Sequence, residues 1–178
     1  VLQRFAECLQ QVSFIITVNP VNDVPSFVVG PDQTVNEDAG PQSVFPWATA
    51  ISFGPANEAP QTLTFEIVAN TNPTLFSAGP EVADDGTLTY TPAANACGIA
   101  NITLQLKDDG GTANGGDDTS NTQSFNITIN CVNDAPVAVN DNYGNGAAED
   151  LAVGYPAVNG VLSNDSDIDN SLAQLSAV

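Results

Sequence analysis

One ten-residue phrase is written twice in this chain. "ITVNPVNDVP" fills positions 16–25 and "ITINCVNDAP" fills 127–136, with seven identical residues at a constant offset of 111. A fixed offset of that size means a repeating unit of about one β domain, and it limits what 178 residues can hold. Each copy begins inside an alternating apolar run: Phe14, Ile16 and Val18 in the first, Phe125, Ile127 and Ile129 in the second. Each ends in a proline, which cannot extend a strand ladder. The phrase therefore reads as the last strand of a unit and the linker leaving it. An acidic echo follows each copy, "NED" at 36–38 and "AED" at 148–150. The expected division is a closing strand and linker at 1–22, a complete repeat at 23–134, and the opening part of a further repeat at 135–178.

Between the two phrases the pattern has period two. "TLTFEIV" sets Leu63, Phe65 and Ile67 on one face, "GTLTYTP" sets Leu88 and Tyr90, and "NITLQLK" sets Ile102, Leu104 and Leu106. Threonines take much of the other face, as in antiparallel strands buried on one side. Clusters of Gly, Pro, Asn and Asp separate the runs and supply the turns. With 12 prolines and 14 glycines spread along the chain, long helices are excluded. Residues 1–11 are the only stretch that tolerates a helix, and they carry no functional signal. The fold class expected is all-β.

Charge narrows the function. There are 21 acidic residues against Arg4 and Lys107, a net charge of −19. Such a surface repels nucleic acid and anionic membranes and attracts cations. With no histidine, a bound metal has to be held by oxygen, which suits calcium (Ca2+) or magnesium and not zinc. No nucleophile stands with a base, so no enzyme is expected. No apolar run approaches the roughly 20 residues of a membrane span. The start "VLQRFAECLQQ" lacks the features of a signal peptide. The chain contains no Met, which suggests a window of a longer chain or a processed one.

"VNDAP", "VNEDAG", "GTLTYTPAANACGIANITLQLKDDGG", "TQSFNITI" and "GVLSNDSDID" together resemble the cadherin-like and immunoglobulin-like tandem repeats of large secreted bacterial surface proteins of the adhesin type. The resemblance spans nearly all of residues 12–178. It implies an antiparallel β-sandwich in a tandem array, secretion to the cell surface, calcium at domain junctions, and a structural or adhesive role in a stalk or surface fibre. It does not imply catalysis.

Candidate ligands follow from it. Asp165, Asp167 and Asp169 alternate through "NDSDID". The loop is no EF-hand, because Asn170 and Ser176 stand where Gly and Glu belong. It resembles instead the aspartate-rich calcium loop of cadherin-like repeats. The linkers supply Asn133 with Asp134, and Asn22 with Asp23. Glu37 with Asp38, and Glu149 with Asp150, resemble the early acidic ligand of such repeats. The complete repeat has no aspartate triplet of its own; its nearest counterpart, "GPANEAP", offers Glu58. The first junction is thus expected to bind more weakly than the second. In "KDDGGTANGGDDTSNTQ" Asp108 resembles a calcium-ligand aspartate of the related repeats, and the segment reads either as a solvated hairpin loop or, over 108–121, as a binding surface for glycan or protein.

Cys97 and Cys131 fall at the base of one hairpin, where a disulfide suits an oxidising compartment. Strict alternation puts them on opposite faces, a slip that Gly98 can absorb. Cys8 is left without a partner. Asn101, Asn126 and Asn164 each open a glycosylation sequon. Trp47 is read as core packing in preference to a sugar platform. The expected partners are neighbouring repeats or identical subunits, with surface glycan or protein possible. A polymerising subunit, with strand 12–19 added to a neighbour's sheet, is the alternative.

Overall fold

A computed structural model describes residues 13–58, 60–140 and 163–170. Among the described residues nine strands form: β1 (Ser26–Val28), β2 (Gln33–Asn36), β3 (Gln42–Val44), β4 (Thr49–Ser52), β5 (Leu63–Asn70), β6 (Phe76–Val82), β7 (Leu88–Pro92), β8 (Gly98–Asp108) and β9 (Gln123–Asn130). The helical pieces among the described residues are 3-10 turns of three residues. The protein is all-β.

The strands make a four-stranded sheet in the order β2-β9-β8-β5, a three-stranded sheet β3-β7-β6, and the pair β1-β4. Strand β8 is antiparallel to both of its neighbours. Strand β2 runs parallel to β9, from Gln33 opposite Ile127 to Asn36 opposite Asn130. Asp32 fixes the start of that pairing, because its carboxylate accepts the Asn126 main-chain N–H at 2.7 Å and the Asn126 side-chain amide at 3.2 Å.

All the sheets feed one core. Ile102, Leu104 and Leu106 of β8 and Phe125, Ile127 and Ile129 of β9 meet Val82, Leu88 and Tyr90 of the three-stranded sheet. Trp47 belongs to this core. It stacks on Phe125 with ring centroids 4.4 Å apart, and its indole N–H donates to the Pro31 carbonyl at 3.0 Å. A buried indole nitrogen needs such a partner. Phe27 of β1 meets Phe65 of β5 edge-on.

The disulfide joins Cys97 to Cys131. The β8–β9 register is unbroken from Gly98 opposite Ile129 to Leu104 opposite Gln123, so no bulge absorbs the parity mismatch. The chain turns instead at Gly98, whose φ of +143° only glycine adopts readily. Cys8 lies outside the described residues.

Two expectations change. Residues 13–20 form no strand, and Phe14, Ile16 and Val18 are 80%, 75% and 86% exposed. Their counterparts Phe125, Ile127 and Ile129 are 2%, 0% and 1% exposed. Within this unit the equivalent place, between β2 and β8, is held by β9. The β8–β9 connection is also no simple solvated loop. Asp108 and Ser120 are buried in it, and the Ser120 hydroxyl accepts the Leu106 N–H at 2.8 Å.

The two copies of the phrase should respond differently to truncation. Ile127→Ala deletes a fully buried side chain and is expected to cost about 2–5 kcal/mol. Ile16→Ala should fall within about 0.5 kcal/mol of the parent. Chemical denaturation of the two variants checks the difference.

Candidate cation sites at the two linkers

Strand β8 carries its inward parity from Leu104 and Leu106 to Asp108, which is therefore buried at 4% exposure. The first linker lies against it. The Asn22 side-chain amide donates to Asp108 Oδ1 at 2.9 Å and to the Asp117 carbonyl at 2.8 Å. Its oxygen accepts from Gln61 Nε2 at 2.7 Å. The next residue, Asp23, donates its main-chain N–H to Glu58 Oε1 at 2.7 Å. Asp109 faces the other way, onto the Thr62 N–H at 2.9 Å, and the Thr62 main-chain and side-chain donors hold its pKa below the usual value.

Three buried oxygens at this junction have no donor: Glu58 Oε2, Gln61 Oε1 and Asp108 Oδ2. Asn22, Glu58 and Gln61 share a cleft of about 240 Å³ with Gly110. A buried carboxylate oxygen without a partner is costly, and a hard cation or water relieves it.

The second linker leaves the opposite end of the four-stranded sheet. Glu37, just past β2, is buried at 5% exposure. Its N–H donates to the Asn130 carbonyl at 3.0 Å, and its Oε1 accepts the Val132 N–H at 2.6 Å. Together with the disulfide at Cys131, this fixes the direction in which the chain leaves β9. Asp134 then donates its N–H to Asp169 Oδ2 at 2.6 Å. Asp167 folds its own loop by accepting the N–H groups of Asp169 and Asn170 at 2.8 and 2.9 Å. The Asn170 side chain reaches Asn133 Oδ1 at 3.3 Å. Asp165 accepts the Val139 N–H at 2.8 Å, beside a bridge between Val137 and Ser166.

Asp134 Oδ2 is buried without a donor. Desolvation raises the Asp134 pKa, and the charges of Asp38, Asp169, Glu37 and Asp167 raise it further. A cleft of about 560 Å³ opens here between Asn95, Asp134 and Asp167.

One contact recurs. Glu58 holds the Asp23 N–H and Asp169 holds the Asp134 N–H, each across 35 residues, and the two pairs are themselves 111 residues apart.

The structure thus gathers Asn22, Asp23 and Asp108 at the first junction. At the second, Asp134 meets Asp169, Asn133 meets Asn170, and Glu37, Asp38 and Asp167 lie near enough to act on the Asp134 charge, while Asp165 holds Val139. Glu149 and Asp150 lie outside the described residues. Gln61 and Asn170 had no signal of their own; the 111-residue offset points to Glu58 as the counterpart of Asp169. Among the described residues, no three carboxylate or cysteine side chains converge closely enough to hold an ion as they stand. The unpaired oxygens are of the hard type that a calcium ion would take, and at the second linker Glu37, Asp134, Asp167 and Asp169 are the side chains that would hold one.

Asn101 and Asn126 face each other across β8 and β9, with Asn101 Nδ2 donating to Asn126 Oδ1 at 3.0 Å. Asn164 is exposed. No helix among the described residues is long and apolar enough to cross a membrane. No protein-family model and no curated protein matches this chain.

A raised carboxyl pKa means that the folded state holds the Asp134 proton more tightly than the unfolded chain does. The resulting stability is fully present below the ordinary aspartate value of 3.8 and is lost as pH rises through the raised value. Asp169→Asn removes one of the repelling charges and should bring the Asp134 pKa down. A carboxyl-carbon NMR titration of Asp134 in chelator checks the direction.

Proposed function

We propose that this chain is a structural repeat of an extracellular stalk, adhesin or surface fibre, and that calcium at the linkers stiffens the array. The recurring contact supports this reading best: each linker aspartate places its N–H on a carboxylate 35 residues downstream, at a 111-residue spacing. A contact repeated at the sequence period is what a tandem array predicts. In this reading residues 1–22 close a preceding β-sandwich, 23–134 are one sandwich and 135–178 open the next. The shared core of the four- and three-stranded sheets agrees with that architecture.

Calcium supplies positive charge where the chain has concentrated carboxylates that repel one another. Bare, the second junction holds the like charges of Glu37, Asp38, Asp134, Asp167 and Asp169 near each other, and their repulsion adds to the desolvation that raises the Asp134 pKa. Bridging by a cation turns the same groups into a brace between units. The Cys97–Cys131 disulfide fits an oxidising, extracellular compartment.

The exposed apolar side chains of Phe14, Ile16 and Val18 favour a second reading, in which this segment enters the sheet of a separate, identical subunit. An upstream unit of the same chain accommodates the segment equally.

Thermal and chemical unfolding in 10 mM calcium and in chelator test the role of the cation. Extracellular modules bind calcium at roughly 10⁻⁴ to 10⁻³ M. At 10 mM, one such site should add about 1.4 to 2.7 kcal/mol. The gain should vanish in Asp167→Asn/Asp169→Asn. An equal midpoint with and without calcium in the parent chain would refute the calcium brace.

A further inference from the structure

The glycine-rich connection between β8 and β9 has no role in the cation sites beyond Asp108, yet it encloses a single linker side chain. Both amide hydrogens of Asn22 are used, on Asp108 Oδ1 and on the Asp117 carbonyl. Its side-chain oxygen is taken by Gln61 Nε2, and its main-chain carbonyl accepts the Asp117 N–H at 3.2 Å. The glycines make the room. A Cβ on Gly110 would overlap Asn22 Oδ1 and Gln61 Nε2, and a Cβ on Gly116 would lie 3.0 Å from the Asn22 Cβ and N. Gly110 has no unusual φ, so space alone demands glycine there. The Asp108 carboxylate that anchors the Asn22 amide also takes the Gly110 N–H at 2.9 Å, which ties the loop to the buried end of β8.

We propose that the 108–118 loop is a docking surface for a linker carboxamide, and that Asn22 is a positioning residue that sets how the chain enters the unit, not a cation ligand. The significance of that direction, as the angle to an upstream unit, rests on the tandem-array reading above; the docking does not. The chemistry is selective. Aspartate at position 22 loses both donors and sets a second carboxylate against the buried Asp108. A hydrophobic residue leaves Asp108 Oδ1, the Asp117 carbonyl and Gln61 without this partner. Glu58 Oε2 and Asp108 Oδ2 stay free beside the docked amide, so docking and cation binding do not compete for the same atoms. At the second junction the counterpart Asn133 takes Asn170 as its partner instead.

Amide hydrogen exchange on the full chain, read residue by residue by NMR in calcium and again in chelator, tests the proposal. The Asp117 N–H, on the Asn22 carbonyl, and the Asp23 N–H, on Glu58, report the linker directly. Both should be protected in both solutions. Asn22→Asp and Gly110→Ala should each speed their exchange at least tenfold, while the amides of Leu104 and Ile127 keep their rates. Gly110→Ala should add nothing further in an Asn22→Ala/Gln61→Ala background, because its clashes are with those two side chains. If either single variant loses core protection as well, Gln61→Ala serves in its place, with acceleration at Asp117 and Asp23 again expected. Protection of Asp117 that appears only with calcium, or that survives in Asn22→Asp and strengthens with calcium, would overturn the proposal and make Asn22 a ligand. A calcium-insensitive second junction beside a protected Asp117 would count against the calcium reading and leave the docking standing.

Discussion

The unit hangs on strand β8. It is the longest strand, antiparallel to both of its neighbours, and its side chains from Ala100 to Leu106 alternate without a break into the core. That alternation is a constraint as well as a source of stability. Shifting the register by one residue would turn Ile102, Leu104 and Leu106 to solvent together. The strand therefore fixes both of its ends. One end places Asp108 in the buried layer, where the first linker meets it. The other places Cys97 beside the exit of β9, where the second linker starts.

The two linkers are held by different means around one shared contact. The shared part is a main-chain N–H of a linker aspartate on a downstream carboxylate. At the first junction Asn22 adds neutral hydrogen bonds that are already satisfied. The second adds the buried Glu37, a disulfide and carboxylates whose charges add to the desolvation that raises the Asp134 pKa. A chain at net −19 has little cationic charge of its own to spend on either junction. Among the described residues the first junction keeps three buried oxygens without a donor and the second keeps one, beside more like charge.

Period-two patterning made most of the sheet legible from sequence. The runs holding Leu88 and Tyr90, Ile102 to Leu106, and Phe125 to Ile129 became β7, β8 and β9 with the expected faces inward. The same parity, carried two residues further, reaches Asp108, but a carboxylate followed by glycines resembles a solvated turn. The pattern could not show that a distant linker residue would cover it. The strand character of 13–18 was equally clear, yet a strand needs an edge to pair with, and β9 holds the equivalent place. The parallel pairing of β2 with β9 left no local trace, since strand periodicity is blind to partner and direction. Gln61 and Asn170 act only through contacts made by the fold.

The cation site proposed at the second linker and the aspartate loop can be seen directly in crystals of the protein grown in calcium, from anomalous difference density measured at long wavelength. A peak is expected among Glu37, Asp134, Asp167 and Asp169, with the Asp134 N–H still on Asp169. Saturating calcium with no peak at either linker, or peaks confined to exposed aspartates elsewhere, would contradict it.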